Sequence, residues 1–483
     1  MSIFSLILIG YIIVKMIVLF FRKEDFFSFF LTLFIFCSVF LDVGKVISVG
    51  KYDFDYSEFS LTLFFLCCVF YRVSGKLFLS RGSVFLFCLI EIVMVFGLLF
   101  RFYSDQVVLG IDHSLIADDV FLRGASLVNV KVTWYSIITF VKISMFLYSI
   151  ICTYSFLDKS IFSHIMRRMA KISKIFILFG FFEFVFINVI NPMLLRKIIL
   201  YILGTSKSMV IVPYFRAGIY SVLLTYMEPS SVCFGLFIMV GFLLFDYCVC
   251  HDSNNRKRDA LFVCLACLLS LFTLAITGLL TSFIVLLLII IHCCKNKNPF
   301  PLFLLSALAI CMIVLLFIDN PISSYLNTRM NVLKQFIAYY RESPMSPNVF
   351  SFHESLVYRT YSIFNAASIF FRFPFFGIGT GTATSFSGLF YTLSNVGVLG
   401  LALDLALWNR FTKKYAICKN GVISILLLVF YFVFYGSINN FLCSISSYCV
   451  LVGFSSYIYC RNGKKNILFS RQSPKGFVYE TSN

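Results

Sequence analysis

The sequence predicts an all-α integral membrane protein that crosses the membrane about 13 times, within a range of about 12–14. Three observations support this fold class: 60% of the residues are hydrophobic, only 13% are charged, and the mean hydropathy is +0.93. Soluble globular chains and disordered chains cannot keep so much apolar surface hydrated. Residues 1–460 are therefore expected to form one multi-span membrane domain, and 461–483 a basic cytoplasmic tail.

Apolar runs at or near the length needed to cross a ~30 Å hydrocarbon core recur along the chain. The first run ends in Arg22-Lys23-Glu24-Asp25 without a small-residue cleavage site, so we expect a membrane span there and not a cleaved signal peptide. The predicted spans are 3–21, 26–41, 59–71, 83–100, 133–156, 175–195, 229–250, 260–276, 279–294, 300–318, 386–407, 421–436 and 441–459.

The distribution of basic residues predicts the orientation of these spans. If 157–174 is cytoplasmic, the segments that alternation places inside carry 24 Lys or Arg and 6 Asp or Glu. The outer loops carry 14 basic and 12 acidic residues. Because cytoplasmic loops collect Lys and Arg, the N-terminus is expected outside and the C-terminus inside. The same rule explains the net charge of +18 without a nucleic-acid partner.

Two outer segments are basic although the insertion rule disfavours this. Segment 196–217 has no acidic residue, and segment 319–385 is too long for a simple connector. An anionic ligand approaching from outside would explain both segments, and scattered charges paired with lipid headgroups are the alternative. The basic residues are Arg196, Lys197, Lys207 and Arg216 in the first segment, and Arg329, Lys334, Arg341, Arg359 and Arg372 in the second.

Glu228 lies where the chain enters a predicted span, and Pro229 suits the first turn of a helix. A carboxylate at this position is partly desolvated and needs a cation. Arg216 is the candidate partner, or a substrate-binding residue in its own right. A structural ion pair that fixes the start of the helix is the alternative.

Small hydroxyl residues interrupt the apolar region 260–294 at Thr277-Gly278-Leu-Leu-Thr281-Ser282. An outer hairpin tip needs such residues, and a plain turn explains them. The hydroxyls of Thr277 and Ser282 are also candidates for hydrogen bonds to phosphate.

An arginine-bracketed helix and a glycine run follow in the long outer segment. Apolar residues at 363, 364, 367, 370 and 371 suit one face of an interfacial helix between Arg359 and Arg372. Arginine binds diphosphate oxygens in bidentate fashion. The glycine run would let backbone N–H groups approach a phosphate closely; it consists of Gly377, Gly379 and Gly381.

Several other residues are candidates for chemistry. His353 is a possible general base on a sugar hydroxyl, and a solvated loop histidine is the alternative. Lys142 is expected to pair inside the membrane with Glu91 or Glu183, or these residues line an ion path. No metal or other cofactor is expected, because the outer loops have no carboxylate cluster and the 17 cysteines show no paired CxxC spacing.

Between about 200 and 405, the sequence resembles the O-antigen polymerase (Wzy-type) and ligase superfamily of bacterial envelope assembly. The motifs that carry this resemblance are Arg216 with Glu228-Pro229-Ser230, the Thr277–Ser282 hairpin, Arg359 at the head of a helix, FFGIGTGT over 375–382, and SNVGVLGL over 394–401.

The resemblance implies a metal-independent inner-membrane glycosyltransferase of the GT-C type, whose large outer loop carries short interfacial helices. It would extend an oligosaccharide carried on a polyprenyl pyrophosphate at the periplasmic face, with membrane lipid and a chain-length regulator protein as further partners. Arg216 and Arg359 match the arginines thought to hold the pyrophosphate, and Arg329 and Arg341 lie in the same basic loop. Ser385-Phe386-Ser387 stands where ligases carry a histidine, which favours a polymerase over a ligase. A lipid-linked-oligosaccharide flippase is the other alternative.

Overall fold

Helices dominate the computed structural model of the chain, and the few strands form short two-stranded hairpins. The residues that the structure describes are 2–22, 25–42, 44–49, 52–103, 109–111, 127–204, 215–216, 218–226, 228–250, 252–296, 321–342, 355–383, 385–417, 422–434 and 444–459.

The first half of the chain alternates long helices with three small hairpins. The helices are α1 (Ile3–Arg22), α2 (Phe26–Phe40), α3 (Tyr56–Val73), α4 (Arg81–Tyr103), α5 (Trp134–Phe156), α6 (Lys159–Val189) and α7 (Leu194–Leu203). The antiparallel hairpins pair β1 (Lys45–Val49) with β2 (Tyr52–Asp55), β3 (Leu109–Ile111) with β4 (Leu127–Asn129), and β5 (Phe215–Arg216) with β6 (Ile219–Tyr220).

After β6, every regular element among the described residues is a helix. The helices are α8 (Pro229–Val249), α9 (Ser253–Phe272), α10 (Ile276–Asn296), α11 (Pro321–Glu342), α12 (Ser355–Arg372), α13 (Gly388–Tyr415), α14 (Val422–Phe434) and α15 (Ile445–Tyr459).

The predicted membrane class is confirmed at a coarse level. Seven helices of the described part are long and apolar enough to cross a membrane, and α2, α10, α14 and α15 contain shorter apolar helices. The total of about 13 spans remains a prediction, because the run 300–318 lies outside the described residues, as does the tail 461–483.

Helix α8 lies at the centre of the bundle. Nearly all of its residues are buried, and it packs most extensively against α15, α9 and α6. A helix that is apolar on every side is stable only when protein or lipid surrounds it. The first residues of α8 are therefore held on a rigid central element.

Buried acidic residues fix α6 against α8 and α9 at one end of the bundle. The Asp246 carboxylate lies 3.1 Å from Nε of Arg167 and 3.7 Å from Nζ of Lys174, and Lys174 also pairs with Asp259. Because a buried carboxylate is stable only beside a cation, this network holds the three helices in register.

The partner predicted for Lys142 is wrong. Lys142 on α5 pairs with Glu58 on α3, while Glu91 accepts a hydrogen bond from the Ser144 hydroxyl at 2.9 Å. Burial, together with the negative charge of Glu58, raises the pKa of Asp55 at the end of β2 to about 7. Sequence patterning identifies which helices carry charge but not which faces meet.

Basic residues at the ends of α4 and α7 are turned inward. Arg101 is 7% exposed, and its Nε donates to the Val130 carbonyl at 2.7 Å. Arg196 is fully buried. Segment 196–217, predicted as a loop, begins within α7, whose exposed side chains Leu194, Ile198 and Tyr201 are apolar.

Helix α12 is present where the sequence predicts it. Tyr361, Ser362, Ala366 and Ile369 are buried, whereas Phe371 is 77% exposed. The small residues face the protein because they allow α12 to approach α13 closely. The large aromatic side chain is left at the surface.

Candidate active site

The site forms around Glu228, the residue that precedes α8. Its backbone is extended, with φ −141° and ψ 158°, and its side chain does not cap the helix. Pro229 occupies the first helical turn, where its missing N–H costs nothing. The carboxylate is therefore free of helix capping and points to a partner elsewhere in the chain.

That partner is Arg359 on α12. Its Nη2 lies 3.1 Å from Oε1 and 3.0 Å from Oε2 of Glu228, and the two side chains are 17% and 19% exposed. The sequence analysis assigned this pairing to Arg216. The structure assigns it to Arg359, and the side chain of Arg216 lies outside what the structure describes.

Ser230 completes the cluster. Its hydroxyl donates to Oε1 of Glu228 at 2.6 Å and accepts from Nη2 of Arg359 at 3.1 Å. A cation, a carboxylate and a hydroxyl thus meet at the start of the central helix, with part of each charged side chain accessible. We call Glu228, Ser230 and Arg359 the charged triad.

Arg359 is positioned by the segment that precedes α13. Its guanidinium lies 5.1 Å from the ring centroid of Phe386, a distance typical of a cation–π contact. The Ser362 hydroxyl donates to the Arg359 carbonyl at 2.7 Å and accepts from the Phe386 amide at 3.0 Å. One serine therefore ties α12 to the segment that carries the aromatic ring.

A buried arginine holds the chain just before Glu228. Arg196 donates to the carbonyls of Leu224 and Tyr226, and the Leu224 amide donates to Oε2 of Glu183 at 2.6 Å. Leu224 has a φ of +50°, which costs a branched residue conformational energy. Arg196 is consequently a structural residue, and the expectation that it faces an external anion is wrong.

Side chains next to Leu224 fasten the same turn to α2. Thr225 donates to the Phe40 carbonyl at 2.6 Å, and the Tyr226 hydroxyl donates to the Val39 carbonyl. The turn is therefore anchored to α2, α6 and α7, and it fixes the point at which Glu228 enters the charged triad.

The glycine run packs inside the protein. Gly377, Gly379 and Gly381 have φ values of +65°, +96° and +70°, which glycine adopts without strain. The amide of Gly377 donates to the Phe373 carbonyl at 3.1 Å, and that of Gly379 donates to the Asn395 carbonyl at 2.9 Å. The phosphate-binding hypothesis is therefore wrong for these two amides, because both are already paired.

Close approach of neighbouring helices explains the glycines instead. A Cβ on Gly379 would lie 2.9 Å from the Cα of Leu98 on α4, and one on Gly381 would lie 2.8 Å from the Cβ of Thr139 on α5. The Ser136 hydroxyl donates to the Gly381 carbonyl at 3.2 Å. The run is a packing element between α4, α5 and α13.

Helix α13 is broken to receive this run. Gly397 has a φ of +66° within the helix, and a Cβ there would clash with the Phe375 carbonyl. Asn395 fills the gap: its Oδ1 accepts from the amides of Thr382 and Ala383, both at 3.1 Å. Asn395 was not predicted as a functional or structural residue, although a polar residue two positions before Gly397 in an apolar helix is a signal of a break.

The Thr277–Ser282 hairpin is a packed turn. Ser282 is fully buried, and its hydroxyl lies 3.0 Å from that of Ser270 and donates to the Cys267 carbonyl at 3.2 Å. Thr277 is 7% exposed. The plain-turn alternative fits this packing, and phosphate contacts by the two hydroxyls stay a prediction.

The remaining predicted residues lie away from the charged triad or outside the described part. Arg372 is exposed at the far end of α12, about 20 Å from Arg359 at 1.5 Å of helix per residue. Arg329 and Arg341 lie on α11, but the structure does not describe their side chains, and His353 is outside the described residues.

The described residues contain no group of three or more His, Cys, Asp or Glu side chains placed to hold a metal ion. The charged triad combines a polar cluster with partial exposure at a helix start, and Glu58 with Lys142 at the start of α3 is a second such cluster.

No model of a known protein family matches the chain, and no curated protein matches it at a significant level.

Proposed function

We propose that this chain is a glycosyltransferase of the bacterial inner membrane that polymerises polyprenyl-pyrophosphate-linked oligosaccharide repeat units at the periplasmic face, as O-antigen polymerases do. The proposal combines the resemblance of its motifs with the chemistry of the charged triad. The membrane bundle places the triad on rigid helices, which suits catalysis by preorganised charge.

The observation that carries the proposal is the meeting of Arg359 with Glu228 and Ser230 at the start of α8. These two regions are among those in which the sequence motifs resemble the family. The arginine supplies a cation for a pyrophosphate, and the carboxylate supplies a proton acceptor. Both are partly exposed, so a substrate can reach them.

The proposed reaction is attack of an acceptor sugar hydroxyl on the anomeric carbon of the donor. A bond forms between the hydroxyl oxygen and that carbon, while the bond from the carbon to the pyrophosphate oxygen breaks. The leaving pyrophosphate keeps the electron pair, and Arg359 stabilises its growing charge more in the transition state than in the ground state. Glu228 accepts the proton of the hydroxyl.

Exposed aromatic side chains at the far end of α12 and just beyond it suit a lipid-linked donor. Phe371 and Phe375, which follow Arg359 in the same segment, are 77% and 62% exposed. Exposed aromatic residues of this kind contact acyl or polyprenyl chains at a membrane surface. Arg216 is a candidate second cation for the pyrophosphate, and His353 remains an alternative base.

Replacement of Arg359 tests the proposal in cells and in nanodiscs. Arg359→Ala is expected to lower polymer formation at least about 100-fold, the scale of losing a group that stabilises transition-state charge. Arg359→Lys is expected to recover only a small part, because lysine cannot bind in bidentate fashion. Arg410→Ala is the matched control, since Arg410 is an exposed arginine that contacts Gly82.

The pattern of products distinguishes the proposal from its rivals. Under the proposal, Arg359→Ala leaves single repeat units on the lipid core and removes longer chains. Loss of single units as well would indicate a ligase or a flippase. Normal chain length in Arg359→Ala would overturn the assignment of the charged triad as the active site.

A further inference from the structure

The hydrogen bonds of Arg359 identify a specific obstacle to substrate binding. Among the described residues, its side-chain hydrogen bonds all come from Nη2, which contacts both Glu228 oxygens and Ser230. A guanidinium binds an anion with two parallel bonds along one of two edges, Nε with Nη2 or Nη1 with Nη2. Nη2 belongs to both edges, so the carboxylate blocks each of them.

We infer that Glu228 is an internal counter-ion that the pyrophosphate of the donor displaces from Arg359, and that this exchange frees the carboxylate to act as the base. The inference rests on the proposed function. It assigns to one contact both the order of events and the identity of the base. Substrate binding would come first, and the base would become available only when a donor is bound.

The chemistry of the exchange favours the donor. Glu228 carries one negative charge, whereas a pyrophosphate diester carries about two charges on several oxygens and can occupy a complete arginine edge. The partial exposure of both side chains, 17% and 19%, lets a ligand approach without opening the helix bundle.

Ser230 is placed to support the exchange. Its hydroxyl already donates to Glu228 at 2.6 Å and accepts from Arg359 at 3.1 Å. When the carboxylate leaves Arg359, the hydroxyl bond keeps it at the start of α8. The base therefore stays next to the anomeric carbon of a donor whose pyrophosphate lies on Arg359.

The test measures binding of farnesyl pyrophosphate, a short polyprenyl pyrophosphate, to the full-length protein in nanodiscs. If Glu228 competes with the ligand, Glu228→Gln is expected to bind about tenfold more tightly than the native protein. Glu228→Asp keeps the charge but is too short to hold both bonds to Arg359, so it is expected to bind more tightly as well. Asp252→Asn, a change at the exposed N-cap of α9, is the charge control.

The outcomes separate this inference from the proposed function. Equal or weaker binding by Glu228→Gln would overturn the exchange while Arg359-dependent binding still supported the site. Binding that survives Arg359→Ala unchanged would overturn the site itself. Glu228→Gln is also expected to lose polymer formation despite tighter binding, and full activity in this variant would overturn the assignment of Glu228 as the base.

Discussion

Arg359 and Glu228 form an ion pair across 131 positions of the sequence, with Nη2 of the arginine 3.1 Å from one carboxylate oxygen and 3.0 Å from the other. The pair joins α12 to the start of the central helix α8. It sets the geometry on which the proposed chemistry depends. The hydroxyl of Ser230, which accepts from Nη2 of Arg359, completes the charged triad.

Removal of the Ser230 hydroxyl is expected to weaken catalysis without unfolding the protein. Ser230→Ala loses hydrogen bonds to two charged groups, each worth about 1.5–3 kcal/mol, so the rate of polymer formation should fall at least about tenfold. Polymer chain length and turnover in nanodiscs measure this. Ser231→Ala, one residue further along α8, is the control and should keep the native rate. Equal rates in the two variants would contradict the role of Ser230.

Replacement of Arg196 is expected to destabilise the fold strongly. Arg196→Met leaves the buried Glu183 carboxylate without its cation and removes the hydrogen bonds to Leu224 and Tyr226. Leaving a buried carboxylate without a nearby cation, and two buried carbonyls without their donors, costs about 3–5 kcal/mol. Thermal unfolding in detergent should show a large fall in Tm, and Lys197→Met on the exposed side of α7 should show little change. Adding Glu183→Gln should restore part of the loss.

The break in α13 is expected to require glycine. Gly397→Ala forces a positive φ on alanine and pushes its Cβ into the Phe375 carbonyl, so we expect a loss of about 2–3 kcal/mol or more. Gly10→Ala in α1 is the matched control, because no atom lies within 4 Å of its added Cβ. There, alanine should be neutral or stabilising by about 0.5–1 kcal/mol. Comparable Tm values in the two variants would show that α13 is not broken at Gly397.

The stability of the β1–β2 hairpin is expected to fall as pH rises. Burial and the charge of Glu58 raise the pKa of Asp55 to about 7, above its value in the unfolded chain, about 3.9. The folded state therefore binds the proton more tightly. The stabilisation is complete below about pH 4 and is lost as pH rises through about 7. The negative charge of Asp42 also raises the pKa of Asp55, whereas the positive charge of Lys142 lowers it.

Asp55→Asn isolates this effect, because the amide mimics the protonated acid and still accepts the Glu58 amide proton. Tm measured from pH 5 to pH 8 should fall for the native protein relative to the variant. A constant difference between the two across this range would contradict the raised pKa.

Much of the helical framework follows from apolar patterning. The predicted runs 133–156 and 229–250 correspond to helices at Trp134–Phe156 and Pro229–Val249, since long apolar segments are stable only as helices in a membrane. Helix α7 was missed because it is only ten residues long and contains Arg196 and Lys197. Apolar side chains lie on both its buried and its exposed sides, so no polar face marks the helix.

The members of the charged triad stand out in the sequence, but their pairing does not. Glu228 is a carboxylate before a proline at a span, and Arg359 leads an amphipathic segment. Which arginine reaches Glu228 depends on the packing of α12 against α13, and no local pattern encodes that. The glycine run is ambiguous in a different way. The same three glycines suit a phosphate-binding loop or a close contact between helices. Only the positions of Leu98 and Asn395 distinguish the two.

The inward-facing arginines have a consequence for how a substrate arrives. The predicted orientation puts Arg101 and Arg196 on the outer side, yet both guanidinium groups are buried and donate to carbonyl oxygens. Such groups add little to the electric field in the surrounding water. A donor would thus reach the protein by lateral diffusion in the bilayer and meet its cation only at contact. Its rate of association should depend weakly on ionic strength.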